Sequence, residues 1–232
     1  MDYEKIAKRF HLRFKFDILR KYYGEKDKFT VLDVGAGNHS ASIFKRYYPN
    51  SYYVGLDRER DYVQNQQDFA SMDEFIVIDL VQEDIKQKIA GKKFDLIIMS
   101  HIIEHLSNGD KVICNLFEHL KENGTIYIEW PSERSVLLPK GKYPTLNFYD
   151  DDTHVRIYPL FEVCNILSFR GGVFCEGGNR RHRREILLMP MLALISIAKR
   201  GRVSGSVFWD TKGFSNYVVF KRKISSYKRE YV

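Results

Sequence analysis

Residues 29–42 read FTVLDVGAGNHSAS, a short apolar run that carries one acid, Asp33, two positions before a glycine turn. Phe29, Val31, Leu32 and Val34 form the β-branched segment expected of a central parallel strand, buried on both faces. Gly35 and Gly37 then free the backbone for a tight turn that a ligand can approach closely, with Ala36 and Asn38 inside it. Two adenosine cofactors compete for such a turn. A lone G-x-G does not choose between them, so its surroundings must.

The same alternation continues outward from this stretch. Apolar runs at Ser51 to Leu56, Phe75 to Asp79, Phe94 to Met99 and Thr125 to Trp130 read as strands. Helical patterns lie between them at Ser40 to Tyr48, Gln82 to Ala90 and Ile102 to Lys121, the last stopped by Glu122-Asn123-Gly124. A helix from Pro159 to Phe169, a strand from Gly172 to Glu176 and a last strand from Asn216 to Lys221 complete the series. Repeated βαβ units predict an α/β, Rossmann-like, doubly wound sheet of seven mostly parallel strands. Upstream, Ile6, Phe10, Phe14, Ile18 and Tyr22 recur at steps of four among basic residues, an amphipathic helix that packs on the core or lids it. The expected organisation is an N-terminal helix over 1–24, one domain over 25–224 and a basic tail over 225–232. Within the domain, 131–158 forms a long loop and 178–213 an insertion before the last strand.

The chain has 232 residues, 44% apolar and 29% charged, which excludes disordered and fibrous classes. Cys114, Cys164 and Cys175 are far apart and odd in number, so they suit a reducing compartment better than a disulfide framework. The first residues, MDYEKIAKRF, lack the apolar core of a secretory signal, and the chain reads as cytoplasmic. Lys and Arg exceed Asp and Glu by 37 to 30. The surplus gathers at Lys5 to Lys21, Arg180 to Arg184 and Lys221 to Arg229, either a site for a polyanion or simply solvated basic faces.

In a doubly wound sheet, ligands bind beyond the carboxyl ends of the strands. The second strand ends in Asp57, placed to accept hydrogen bonds from both hydroxyls of a ribose, with Arg58 next to it. The third ends in Asp79, placed to accept from an adenine amino group, and Leu80 offers an apolar face. The fourth ends SHIIEHL, which sets Ser100 and His101 beside the reacting end of the cofactor.

In this order of residues, Asp33 with Gly35 and Gly37, then Asp57, Asp79 and the His101-Ile-Ile-Glu-His105 run, the chain resembles the class I S-adenosylmethionine-dependent methyltransferases. The resemblance implies S-adenosyl-L-methionine as cofactor. It implies further that Asp33 and the glycine turn hold the aminoacyl end, Asp57 the ribose and Asp79 the adenine, and that the last strand runs in reverse. His39 stands where many members carry a third glycine, which points to a slightly wider loop. A nicotinamide dinucleotide is the rival, because Gly35-x-Gly37-x-x-Ser40 nearly fits its fingerprint. Against it, Ser40 replaces the third glycine, Asp33 would face a pyrophosphate and Asp79 would have no task. His101-x-x-Glu104-His105 also spells an inverted zinc-protease pattern. It starts at a strand end within a βα series and no distant third ligand stands out, so no metal site is expected.

Methyl transfer asks mainly for positioning, and a hydroxyl acceptor gains further from a base. His105 and His154 are the candidates. The loop sequence Pro131-Ser132-Glu133, followed by TLNFYDDDTH over 145–154, resembles a subgroup associated with bacterial surface-polysaccharide gene clusters. That resemblance implies a sugar, nucleotide-sugar or lipid-linked glycan acceptor, for which Glu133, Tyr149 and Asp151 are the binding candidates. Nucleic acid is disfavoured: the Asp/Asn-Pro-Pro-aromatic motif of base-modifying members is replaced by Ser100-His101-Ile102-Ile103, and the acidic loop repels phosphates. Another small molecule remains open as acceptor, as does a cofactor-binding protein without turnover. Ile186 to Ala198 is apolar between basic flanks and too short to span a bilayer. It suits either peripheral contact with an anionic membrane or packing on the core, the substrate pocket or a second copy in an oligomer.

Overall fold

The computed structural model describes residues 14–37, 39–60, 66–141 and 145–223. Ile6, Phe10, Asn38, Tyr143 and the basic tail lie outside them. Seven strands form one sheet: β1 (Thr30–Val34), β2 (Tyr52–Asp57), β3 (Glu74–Val77), β4 (Phe94–Ser100), β5 (Leu120–Pro131), β6 (Gly172–Asn179) and β7 (Ser215–Arg222). Their order is β3-β2-β1-β4-β5-β7-β6. β7 pairs antiparallel with both β5 and β6, while the other pairings are parallel, so the last strand is reversed as expected.

Period-two alternation along the strands sends side chains to two separate cores. Leu32, Val34, Ile97, Met99, Ile126 and Ile128 face one side. That core is covered by α4 (Ile85–Lys88), α5 (Gly109–Glu118) and α6 (Leu160–Phe169). Val31, Tyr53, Leu96, Ile98, Tyr127 and Val219 face the other. There they meet α1 (Phe14–Leu19) and α2 (Ser40–Tyr47). The described part of the N-terminal helix therefore packs on the core: Phe14, Phe16, Ile18 and Leu19 are all buried, and Phe16 stacks on Tyr47 with ring centroids 4.2 Å apart. Asp17 on α1 meets His182 Nε2 at 2.7 Å, which ties this helix to the start of the insertion.

The helix expected over Ile102 to Lys121 is divided. A 3-10 turn covers Ile103–His105, and α5 starts only at Gly109. Ser107-Asn108-Gly109 supplies turn chemistry in the middle of the apolar pattern. Gly109 is also fixed from outside, since a Cβ there would lie 2.6 Å from the Tyr158 hydroxyl. At the other end α5 stops at Glu118, because Leu120 already pairs with Phe94 across β4 and β5. Asn123 does take a left-handed φ of 61°, but inside a bulge of β5 and not at a helix stop. The loop over 131–158 holds two 3-10 turns, Glu133–Leu137 and Phe148–Asp150.

Buried Tyr158 joins this loop to the divided segment, donating to the Leu106 carbonyl at 2.8 Å and accepting from Gly109 N at 3.2 Å. Tyr158→Phe leaves both backbone groups without that partner, and a loss of about 1–2 kcal/mol in urea unfolding is expected. An unchanged midpoint would contradict this account of the junction.

Candidate functional site

The carboxyl ends of β1, β2 and β4 converge where the strand order reverses, between β1 and β4. Gly35 takes φ +74°, and a Cβ there would fall 2.0 Å from Ile102 Cδ1, so only glycine fits between the β1 turn and the segment after β4. Gly37 N donates to Asp57 Oδ2 at 2.9 Å, and Arg58 N donates to Asp57 Oδ1 at 2.7 Å. Asp57 thereby fixes the turn from the neighbouring strand. His39, in the third glycine's place, keeps the left-handed conformation with φ 66°. Its N–H and that of Ser42 are accepted by the fully buried carboxylate of Asp68, on α3 (Gln66–Ser71). These bonds fasten the strained turn to the start of α2.

Asp33 is buried, and one oxygen accepts from both Ser40 Oγ and the Tyr53 hydroxyl at 2.5 Å. Burial, and after it the neighbouring Asp33 carboxylate, pushes the Tyr53 phenol well above its ordinary pKa, so it stays a donor. Asp79 lies two residues beyond β3, where its Oδ1 accepts from Val81 N at 2.9 Å and Gln82 N at 3.4 Å. The buried Leu80 passes its carbonyl to Asn108 Nδ2 at 3.0 Å. The structure thus brings Asp33, the glycine turn and Asp57 together, and gives Asp79 a turn-capping task on the adjacent strand end.

At the end of β4 the backbone turns sharply, with His101 at φ 55°. Its ring lies between two carboxylates: Nδ1 is 3.2 Å from Glu104 Oε1, and Nε2 is 3.5 Å from Glu129 Oε1. Burial alone lowers the His101 pKa, but Glu104 and Glu129 outweigh it and raise the value to about 9. At neutral pH His101 is therefore an imidazolium, a donor and not a base. Burial would likewise push Glu129 up, yet Arg180 and then His101 hold it well below the usual carboxylate range. Arg180 Nη1 reaches Glu129 at 2.7 Å, and its Nε and Nη2 reach Asp210 at 3.1 and 2.9 Å. Trp209 completes this wall, with ring centroids 5.0 Å from His101 and 4.6 Å from Phe214. Ser100 Oγ and Glu104 Oε2 are buried and lack hydrogen-bond partners, two polar atoms aimed into the site.

His105 and His154 do come together, with ring centroids 4.7 Å apart. Val155 N and Arg156 N both donate to the Glu104 carbonyl, at 2.8 and 3.2 Å, which clamps the loop onto the turn after β4. His154 Nδ1 lies 2.6 Å from the Phe148 carbonyl and so carries the proton, leaving a lone pair on Nε2. His105 Nδ1 lies 2.9 Å from Thr153 Oγ1. Asp151 stands beside them and accepts from Thr153 N and Oγ1. Tyr149 is half-exposed on the same loop, with Lys140 Nζ 5.6 Å from its ring centre. Glu133 differs from expectation: its two oxygens accept from Leu160 N at 3.0 Å and Asn216 Nδ2 at 2.7 Å, so it braces α6 and β7.

Sequence reading missed Glu129, Arg180, Trp209 and Asp210, because nothing local marks residues so distant as partners. Arg180 had counted only as part of a basic surplus; instead it is the cation of a buried network. Its replacement in Arg180→Met strands two carboxylates, and a loss of about 3 kcal/mol in chemical unfolding is expected. Unaltered stability would mean that the network holds nothing together.

Ubiquinone biosynthesis O-methyltransferase of Rickettsia typhi is 26% identical over 121 residues, 51% of this chain and 48% of that protein. Probable (S)-tetrahydroprotoberberine N-methyltransferase 2 of Papaver bracteatum is 25% identical over 105 residues, covering 45% of this chain and 29% of its own. The chain thus spans about half, or less, of the length of these curated relatives. An S-adenosylmethionine-dependent methyltransferase from Mesorhizobium loti shares the fold, with a TM-score of 0.63 at 13% identity, covering 92% of this chain and all of that one. A family model described as "Methyltransferase domain" matches residues 25–156. That stretch is more than half of the chain and contains the glycine turn, Asp57 and the β4 terminus, and on this match the chain belongs to the methyltransferase-domain family, with S-adenosylmethionine as its cofactor.

Proposed function

We propose that the chain methylates a hydroxyl oxygen on a sugar, nucleotide sugar or lipid-linked glycan. The residues present fit the cofactor: a turn whose positive-φ Gly35 admits no side chain, Asp57 fixed beside it, and an unpartnered Ser100 Oγ at the strand end. Asp33, Gly35, Ala36, Gly37, Asp57 and Arg58 would hold it, with Asp79, Leu80, Ser100 and His101 along the neighbouring strand ends. When bound it supplies a sulfonium methyl, whose carbon bonds to the acceptor oxygen as the C–S bond breaks and its electron pair returns to sulfur.

The observation that carries the oxygen reading is the lone pair that Phe148 fixes on His154 Nε2, next to His105 and Glu104. A hydroxyl must shed a proton as it is methylated, and this corner of the site draws it off; a neutral amine needs no such help. His101 is charged and cannot serve. The acceptor class rests on the loop's resemblance, with exposed Tyr149 offering a stacking face and Asp151 a hydroxyl partner. The insertion adds a membrane-facing element. Helix α7 (Arg183–Arg200) leaves Leu187 80% and Leu194 68% exposed, with Arg183 at one end and Lys199 and Arg200 at the other. Among the described residues no helix is long and apolar enough to cross a membrane. An exposed apolar face between cations suits an anionic lipid surface, where a lipid-linked acceptor would lie.

Incubation with methyl-labelled cofactor and a panel of nucleotide sugars, glycolipids, catechols and RNA tests the reading. We expect label on a hydroxylated acceptor as an ether, reduced about a hundredfold in His154→Ala. Label on nitrogen or RNA, or full activity in the variant, would overturn it. The intact protein should float with phosphatidylglycerol vesicles, and Leu187→Glu with Leu194→Glu should abolish this; no flotation in the intact protein removes the lipid-surface element.

A further inference from the structure

Glu104, His105 and His154 each present a donor atom, and these three atoms lie within 4.8 Å of one another. The arrangement differs from a surface cluster in three ways. Glu104 is 1% exposed, and its Oε2 is buried with no hydrogen-bond partner, an unusual expense in a core unless a cation is to meet it. His154 Nε2 is 4.0 Å from Glu104 Oε1, with its lone pair fixed by the Nδ1–H bond to the Phe148 carbonyl. A ring N–H held by a backbone carbonyl is how metal-binding histidines are oriented. Finally, the two segments are held in register by the backbone bonds from Val155 and Arg156 to the Glu104 carbonyl.

We infer that this triad binds one divalent transition-metal ion of the zinc, cobalt or manganese type. Two imidazoles and one carboxylate match the ligand preference of such ions, and three protein ligands leave positions open, as in catalytic sites. Metal–ligand bonds of about 2.0–2.2 Å place neighbouring donor atoms roughly 3–3.5 Å apart, so closing from 4.8 Å needs only small side-chain movements. Asp151 Oδ2, 3.9 Å from His154 Nε2, adds negative charge at the rim. The sequence pattern had lacked a third ligand; the loop after β5 supplies it as His154.

The inference rests on the oxygen reading and gives the proton-drawing corner its chemistry. An acceptor hydroxyl coordinated at an open position loses its proton to solvent at neutral pH, because the ion stabilises the alkoxide or phenolate. The histidines then act as ligands and not as bases. A pair of vicinal hydroxyls, as on a sugar ring or a catechol, would fill two open positions at once.

The test uses the full chain, stripped with chelator and titrated with Co2+ followed by visible absorption, and with Zn2+ by calorimetry. We expect one ion per chain, a ligand-field spectrum of nitrogen and oxygen ligands, and affinity lowered about tenfold or more in both His154→Ala and His105→Gln. Each variant should still bind S-adenosylhomocysteine, which shows that it is folded. Absence of stoichiometric binding, or binding that neither variant weakens, overturns the metal site. Ether-forming turnover that persists in chelator would discard the metal and keep the oxygen reading, whereas metal binding with methyl transfer only to nitrogen would do the reverse.

Discussion

A carboxylate carried to the end of a buried parallel strand cannot be left without a partner, and in this fold that requirement organises the whole carboxyl edge. Asp33 is satisfied by Ser40 and Tyr53, Asp57 by the amides of Gly37 and Arg58, and Glu129 by Arg180 with Tyr127 and His101 beside it. Each pairing joins two elements that are distant in the chain. Asp33 joins β1 to α2 and β2, Asp57 joins β2 to the glycine turn, and Glu129 joins β5 to the insertion through Arg180 and Asp210. Glu104 is the exception, with one buried oxygen left open. The unpaired atom lies where the two histidines meet.

The insertion is consequently part of the site and not an appendage. Arg180 and Asp210 begin and end it, and Trp209 sets its ring over His101 while donating to the Thr145 carbonyl at 2.6 Å. That bond connects the insertion to the loop that brings Tyr149, Asp151 and His154. A substrate entering between them meets a wall drawn from β4, the loop after β5 and the insertion. Movement at the exposed helix α7 has a short mechanical route to the reacting corner.

Most of the fold was legible because apolar runs of strand length, separated by helical patterns, leave little choice of topology. The reversed last strand came from the family resemblance and was confirmed by its pairing. The cofactor side was legible for the same local reason: Asp33, Gly35, Gly37 and Asp57 follow strands whose ends the fold must bring together. What escaped was set by contacts over long separations. The break at Ser107 to Gly109 depends on Tyr158, the tasks of Glu133 depend on Leu160 and Asn216, and the burial of Arg180 depends on two acids that flank it in space only. The metal-ligand set was half visible as His101-x-x-Glu104-His105, but His154 is its neighbour only after the loop folds back.

The central claim is that the edge formed by the glycine turn and Asp57 holds S-adenosylmethionine. Isothermal calorimetry of the pure protein with S-adenosylmethionine and S-adenosylhomocysteine, with Asp57→Ala as control and NADH as competitor, tests it most directly. The account predicts saturable binding of both ligands, lost or greatly weakened in Asp57→Ala and indifferent to NADH. Failure to bind either ligand, or displacement by NADH, would contradict it.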